Sequence, residues 1–167
     1  FILPMLFIIF SAPSFSSQDV KAISAHPTET TITPYNPTAP IGKAITFHAK
    51  VADHTPAQNT PYGTVTWSDG GKGGKFSSSS CKLVLYSSSE STCSVTYTQP
   101  TIGPVTVNGT YGGDSSHVTS SGITPLSVTL RTTSTTVTPN PVTPTIGKAI
   151  TFSSKVNDPG TGIKTLP

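Results

Sequence analysis

A shift of 105 residues lays positions 30–53 of this chain over positions 135–158, and the heptapeptide IGKAITF at 41–47 recurs unchanged at 146–152. Solenoid and propeller repeats have periods of about 20–50 residues. A period of 105 is instead that of a whole domain. The 167 residues therefore read as a tandem array. One complete unit is expected over 26–131, after a short linker at 17–25. Residues 132–167 are expected to hold a second linker and the first strands of a second unit, cut short at Pro167 with too little chain for a core of its own.

The composition says what kind of unit repeats. Ser and Thr occupy 52 positions, Gly 14 and Pro 16, and only 10% of residues are charged, against about 25% in an average soluble domain. Ser, Thr, Gly and Pro are poor helix formers, whereas Val, Ile, Phe, Tyr and Leu recur too regularly for a disordered chain. The fold is predicted to be all-β.

Period-two alternation places seven short strands in the complete unit, over 30–33, 43–53, 64–68, 81–86, 92–98, 105–111 and 125–130. Their inward positions include Ile45, Phe47, Ala49 and Val51, then Val65 and Trp67, then Cys81, Leu83 and Leu85, then Cys93, Val95 and Tyr97, and finally Val105, Val107, Gly109 and Tyr111. Phe47, Trp67, Tyr97 and Tyr111 are the expected core anchors. Seven strands separated by turn signals in about 100 residues read as an immunoglobulin-like β-sandwich.

The first ten residues, FILPMLFIIF, are uncharged and apolar, and small residues follow at Ser11, Ala12, Ser14 and Ser16. This is the pattern of a signal-peptide core followed by a cleavage region, too short to span a bilayer. Residues 1–16 are thus expected to be an N-terminally truncated signal peptide, which places the protein outside the cell or on its surface. The net charge of +3 comes from Lys and Arg scattered singly, without the basic face that nucleic-acid binding requires.

Several motifs then carry a resemblance. Gly63-Thr-Val-Thr-Trp67-Ser-Asp69-Gly-Gly71, Phe76 with a Ser run and Cys81, the stretch 91–98 around Cys93, and Gly109-Thr-Tyr111-Gly-Gly-Asp114 resemble the bacterial and archaeal Ig-like repeat domains of group 3. The resemblance covers 30–130 and the repeat from 135. It implies tandem modules of secreted or cell-surface proteins that act as spacers, stalks or adhesion elements without catalytic residues. Its implied partners are neighbouring repeats of the same chain, surface glycans or other envelope proteins. Membrane contact is expected only through the signal peptide or an anchor elsewhere.

Cys81 and Cys93 are separated by too many residues for a redox pair, and no second Cys or His pair stands at zinc-finger spacing. With secretion, a structural disulfide follows. It is expected across a Ser-rich hairpin on the face of Leu83 and Val95, and closing that loop stabilises by about 3 kcal/mol. The sheet-to-sheet bridge of antibody domains is expected to be absent, since its inward positions hold Phe47 and Val107 or Gly109.

The remaining polar motifs yield no predicted cofactor or metal site. Residues 69–75 form a Gly-rich stretch that lacks the Ser/Thr and helix of a phosphate loop, and a flexible loop is expected there. His48, Asp53 and His54 read as surface residues. Asp69 and Asp114 lie at Gly turns, without the ligand density that Ca²⁺ demands. No nucleophile elbow is present. Asn108-Gly-Thr110 is a possible N-glycosylation sequon, whereas Asn36-Pro-Thr38 is blocked by its proline. Two functions fit: a non-enzymatic structural or adhesion module, or the N-terminal accessory region of a secreted hydrolase or carbohydrate-binding protein. The Pro-containing stretch 131–144 is expected to be an extended, semi-rigid linker.

Overall fold

The computed structural model describes residues 25–160 apart from 141 and 144, so the signal-peptide reading of 1–16 lies outside the described residues, as do 17–24 and 161–167. The described residues are all-β. The strands are β1 (Thr28–Thr33), β2 (Thr38–Pro40), β3 (Ile45–Asp53), β4 (Thr64–Ser68), β5 (Lys75–Phe76), β6 (Ser80–Lys82), β7 (Val84–Leu85), β8 (Glu90–Thr98), β9 (Gly103–Tyr111), β10 (Ser120–Thr129), β11 (Ser134–Asn140) and β12 (Thr151–Asn157). One sheet has the order β1-β3-β8-β5, with β7 also on β8, and the other has the order β2-β10-β9-β4-β6.

Alternation builds the core between them. Phe47, Ala49, Val51, Val95 and Tyr97 from the first sheet join Val65, Trp67, Val105, Val107, Tyr111, Leu126 and Val128 from the second in one buried cluster. Aromatic rings link its layers: Trp67 to Phe76 at 6.3 Å, Phe76 to Tyr97 at 4.5 Å and Tyr97 to Phe47 at 6.3 Å between centroids. Such tilted pairs add to the gain from burial alone. Outward positions carry mostly Thr and Ser, whose β-branched or small polar side chains suit a solvated pleated face.

The first strand is divided between the sheets. β1 runs antiparallel to β3, and after the cis Thr33–Pro34 peptide the chain crosses so that β2 runs parallel to β10. Close approach of β1 to the second sheet needs glycine. Gly109 and Gly122 are paired across β9 and β10, and a Cβ on Gly122 would overlap the Thr30 carbonyl, while one on Gly109 would lie 2.8 Å from Ile32 Cδ1.

Three expectations require correction. Residues 81–86 are not one strand. β6 pairs with β4 in the second sheet, the buried Leu83 marks the crossing, and β7 pairs with β8 in the first, leaving Leu85 exposed. Alternation cannot register a change of sheet, because the side-chain period continues through it. The linker expected over 131–144 is already a strand from Ser134, because β11 pairs antiparallel with β12. Two further strands, β2 and β5, have only three and two residues and lie below what alternation can detect.

The β11–β12 hairpin reproduces the β1–β3 pairing. Thr135 opposes Val156 as Thr30 opposes Val51, and Thr138 opposes Ser153 as Thr33 opposes His48. Every one of these positions differs by 105. Gly147 has φ 80° where Gly42 has 74°. The burial differs: Phe47 is 0% exposed and Phe152 is 65%.

Candidate functional site

The disulfide joins Cys81 of β6 to Cys93 of β8, so it links the two sheets and does not cross a hairpin. This corrects the expected placement and follows from the change of sheet at Leu83. The Trp67 indole N–H points at Cys81 Sγ, 3.2 Å away. A shallow groove lined by His48, Lys82, Val84, Thr92 and Ser94 runs beside the bridge.

At one end of the domain, polar side chains converge from three places distant in sequence. His26 precedes β1 and forms a parallel bridge with His117 in the β9–β10 loop. Asp53 ends β3. The His26 amide donates to the Ser116 carbonyl at 2.7 Å, and the Val118 amide donates to the His26 carbonyl at 2.9 Å. These bonds bring His26 Nδ1 to 2.8 Å from Asp53 Oδ2 and His117 Nε2 to 3.5 Å from the same oxygen. The side chains of Asp53 and His117 are fully buried and that of His26 is a quarter exposed. Asp53 is thus not the surface residue expected from sequence, whereas His48 and His54 are exposed. His54 pairs with Glu29 at 3.0 Å.

Burial pushes the Asp53 carboxyl upward, but hydrogen bonds from His26, Thr55 and Asn59 more than reverse this, leaving it well below the ordinary carboxylate range. The amides of Thr55 and Asn59 each donate to it at 2.8 Å. Asp114 is a second hub. It accepts from the amides of Tyr62, Ser116 and His117, from the Tyr111 hydroxyl at 2.8 Å and from His117 Nδ1 at 2.8 Å. Burial raises its pKa, the three kinds of donor outweigh burial, and the carboxyl falls to about 2. The buried Tyr111 phenol is pushed up by burial and by Asp114.

The chain Asp114–His117–Asp53–His26 leaves one group without a partner. Asp114 as a carboxylate only accepts, so His117 Nδ1 carries the donated proton. Nε2 is buried and has no hydrogen-bond partner. His26 Nδ1, Asp53 Oδ2 and His117 Nε2 lie within 4.8 Å of one another. Two imidazole nitrogens and a carboxylate oxygen are ligands suited to a divalent transition metal.

At the other end, Asp69 organises the Gly-rich loop. It accepts from the Gly71 amide at 3.0 Å, the Gly74 amide at 2.8 Å and the Tyr97 hydroxyl at 3.0 Å. Burial raises its carboxyl, but the Gly74 amide, the Tyr97 hydroxyl and further amides bring it below the usual value. Asp69 thus ties this loop, which joins β4 of one sheet to β5 of the other, to Tyr97 of the core. Asn108 is half-buried in the middle of β9, opposite Ile123 of β10 and Ser68 of β4.

Sequence reasoning missed His26 and His117 altogether. They are 91 positions apart, and no local pattern joins them. A signal did exist in the repeat: 105 residues beyond His26 and Asp53 stand Arg131 and Asp158, again a nitrogen base and an aspartate. Arg131 Nε meets Asp158 Oδ2 at 2.6 Å. Compared with models of known protein families and with curated proteins, the chain matches none. Among the described residues no helix is long and apolar enough to cross a membrane.

Proposed function

We propose that the chain is a non-enzymatic structural module of a secreted or cell-surface protein built from tandem immunoglobulin-like repeats, akin to the group 3 bacterial Ig-like family. It serves as a spacer or stalk and offers its outer faces for adhesion. The observation that carries this reading is the recurrence, 105 residues on, of the same strand pairing and the same closing contact, His26–Asp53 in one unit and Arg131–Asp158 in the next. A chain that reuses one strand pair and its clasp is suited to repeating a shape.

Other observations support it. A first strand divided between two facing sheets, with Trp67 packed beside an inter-sheet disulfide, suits an Ig-like sandwich. A disulfide suits an oxidising, extracellular compartment. In the cluster with residue types used in catalysis, Asp53 and His117 have no side-chain exposure and only His26 reaches the surface, an arrangement suited to holding three chain segments together. The four residues between β10 and β11 make a short connection that limits how far successive units can fold back on one another.

Scattering from head-to-tail concatemers of 26–133 tests the proposal. The maximum dimension is expected to grow linearly, by about 35 Å per copy, the length of a ten-residue strand. Concatemers that stay compact as copies are added would refute a spacer role.

A further inference from the structure

We propose that His26, Asp53 and His117 form a structural binding site for one divalent transition-metal ion of the zinc type, pinning the start of β1 to the end of β3 and to the β9–β10 loop. The first argument is the unpartnered nitrogen. With Nδ1 directed at Asp114, His117 Nε2 is left buried without a hydrogen-bond partner and faces Asp53 Oδ2, 3.5 Å away. A cation held between this buried nitrogen and the buried carboxylate would satisfy both.

The second argument is the surrounding arrangement. A carboxylate that accepts from the far nitrogen of an imidazole is the usual support of a metal-bound histidine, and Asp114 stands in that position. The third is size. Ligand atoms of a tetrahedral zinc site with bonds of 2.0–2.1 Å are about 3.3 Å apart. Here two pairs are 2.8 and 3.5 Å apart and all three atoms fall within 4.8 Å. Two nitrogens and one oxygen favour zinc or cobalt over calcium or magnesium, which take oxygen ligands. The Thr55 hydroxyl, 3.0 Å from His26 Nδ1, or a water at the exposed edge of His26 completes the coordination. The ion takes the place of the proton that His26 shares with Asp53.

The adjoining repeat supplies the control. Arg131, at the position equivalent to His26, is a fixed cation that pairs with its aspartate but cannot ligate a metal. His26→Arg should therefore keep the clasp and lose the site. The full chain, stripped of metal with chelator, is titrated with Zn²⁺ by calorimetry and with Co²⁺ by visible absorption. One ion per chain is expected, with the intense visible bands of tetrahedral cobalt and a rise in melting temperature. His26→Arg and His117→Gln should each weaken binding by about tenfold or more, with the far-ultraviolet circular dichroism of His26→Arg unchanged. His54→Ala, a change at an exposed histidine, should leave binding intact. The proposal is overturned if no ion binds at stoichiometric concentration, if binding survives both His26→Arg and His117→Gln, or if His54→Ala abolishes it.

Discussion

His26 Nδ1 lies 2.8 Å from Asp53 Oδ2, closing the strand pair β1–β3 at its outer end. The carboxylate also holds the amides of Thr55 and Asn59, so its removal strands several donors at once. Replacing one partner of a buried pair leaves the other desolvated and uncompensated. Asp53→Ala is expected to lower stability by about 3 kcal/mol, measured as a fall in the urea midpoint with an unchanged slope. A loss within experimental error would mean that the network contributes nothing to folding.

Asp69 yields the pH dependence. Its folded pKa lies below that of an ordinary aspartate, so its stabilisation is fully present above the ordinary value and is lost as pH falls from there through the folded pKa. Asp69→Asn should be less stable than the parent near neutrality, with the difference shrinking as pH falls below about 4. Urea titrations at several pH values check this. A gap that widens in acid would contradict the assigned sign.

Reduction of Cys81–Cys93 is expected to cost about 3 kcal/mol, or a fall in melting temperature on the order of 10–20 °C. Trp67 is the sole tryptophan, and its indole N–H points at Cys81 Sγ. A disulfide in contact with an indole quenches it by accepting an electron, so reduction should brighten the native emission before any unfolding. Unchanged intensity on reduction of folded protein would place Trp67 away from the bridge.

The two phenylalanines of the repeated heptapeptide should respond differently. Phe47→Ala empties a fully buried position and is expected to cost about 3–5 kcal/mol. Phe152→Ala removes a side chain that is 65% exposed and should cost under about 1 kcal/mol. Both are read by chemical denaturation, and equal effects would show that Phe152 is packed as Phe47 is.

The contrast between these residues marks how far the sequence could be read. Alternation identified Phe47, Val65, Trp67, Val95, Tyr97 and Tyr111 as inward because each sheet buries one face. It failed at the end of β3, where Val51, Ala52 and Asp53 are consecutively buried. There His26 before β1, Thr55 and Asn59 of the following loop and His117 of the β9–β10 loop meet the Asp53 carboxylate. It fails again at Leu83, where the chain leaves one sheet for the other without breaking its period, so that alternation alone puts Cys81 and Cys93 on one hairpin. The polar cluster was illegible for a different reason. His26, Asp53 and His117 meet only once the sheets are paired, and the repeat alone hinted at the first two.

Mechanical extension of single molecules tests whether 26–131 is one closed structural unit repeated in line. A concatemer of 26–133 should lengthen in equal discrete steps, one per copy, and reductant should add about 40 Å to each step by releasing the residues between Cys81 and Cys93. Smooth extension without steps, or steps unaltered by reductant, would contradict it.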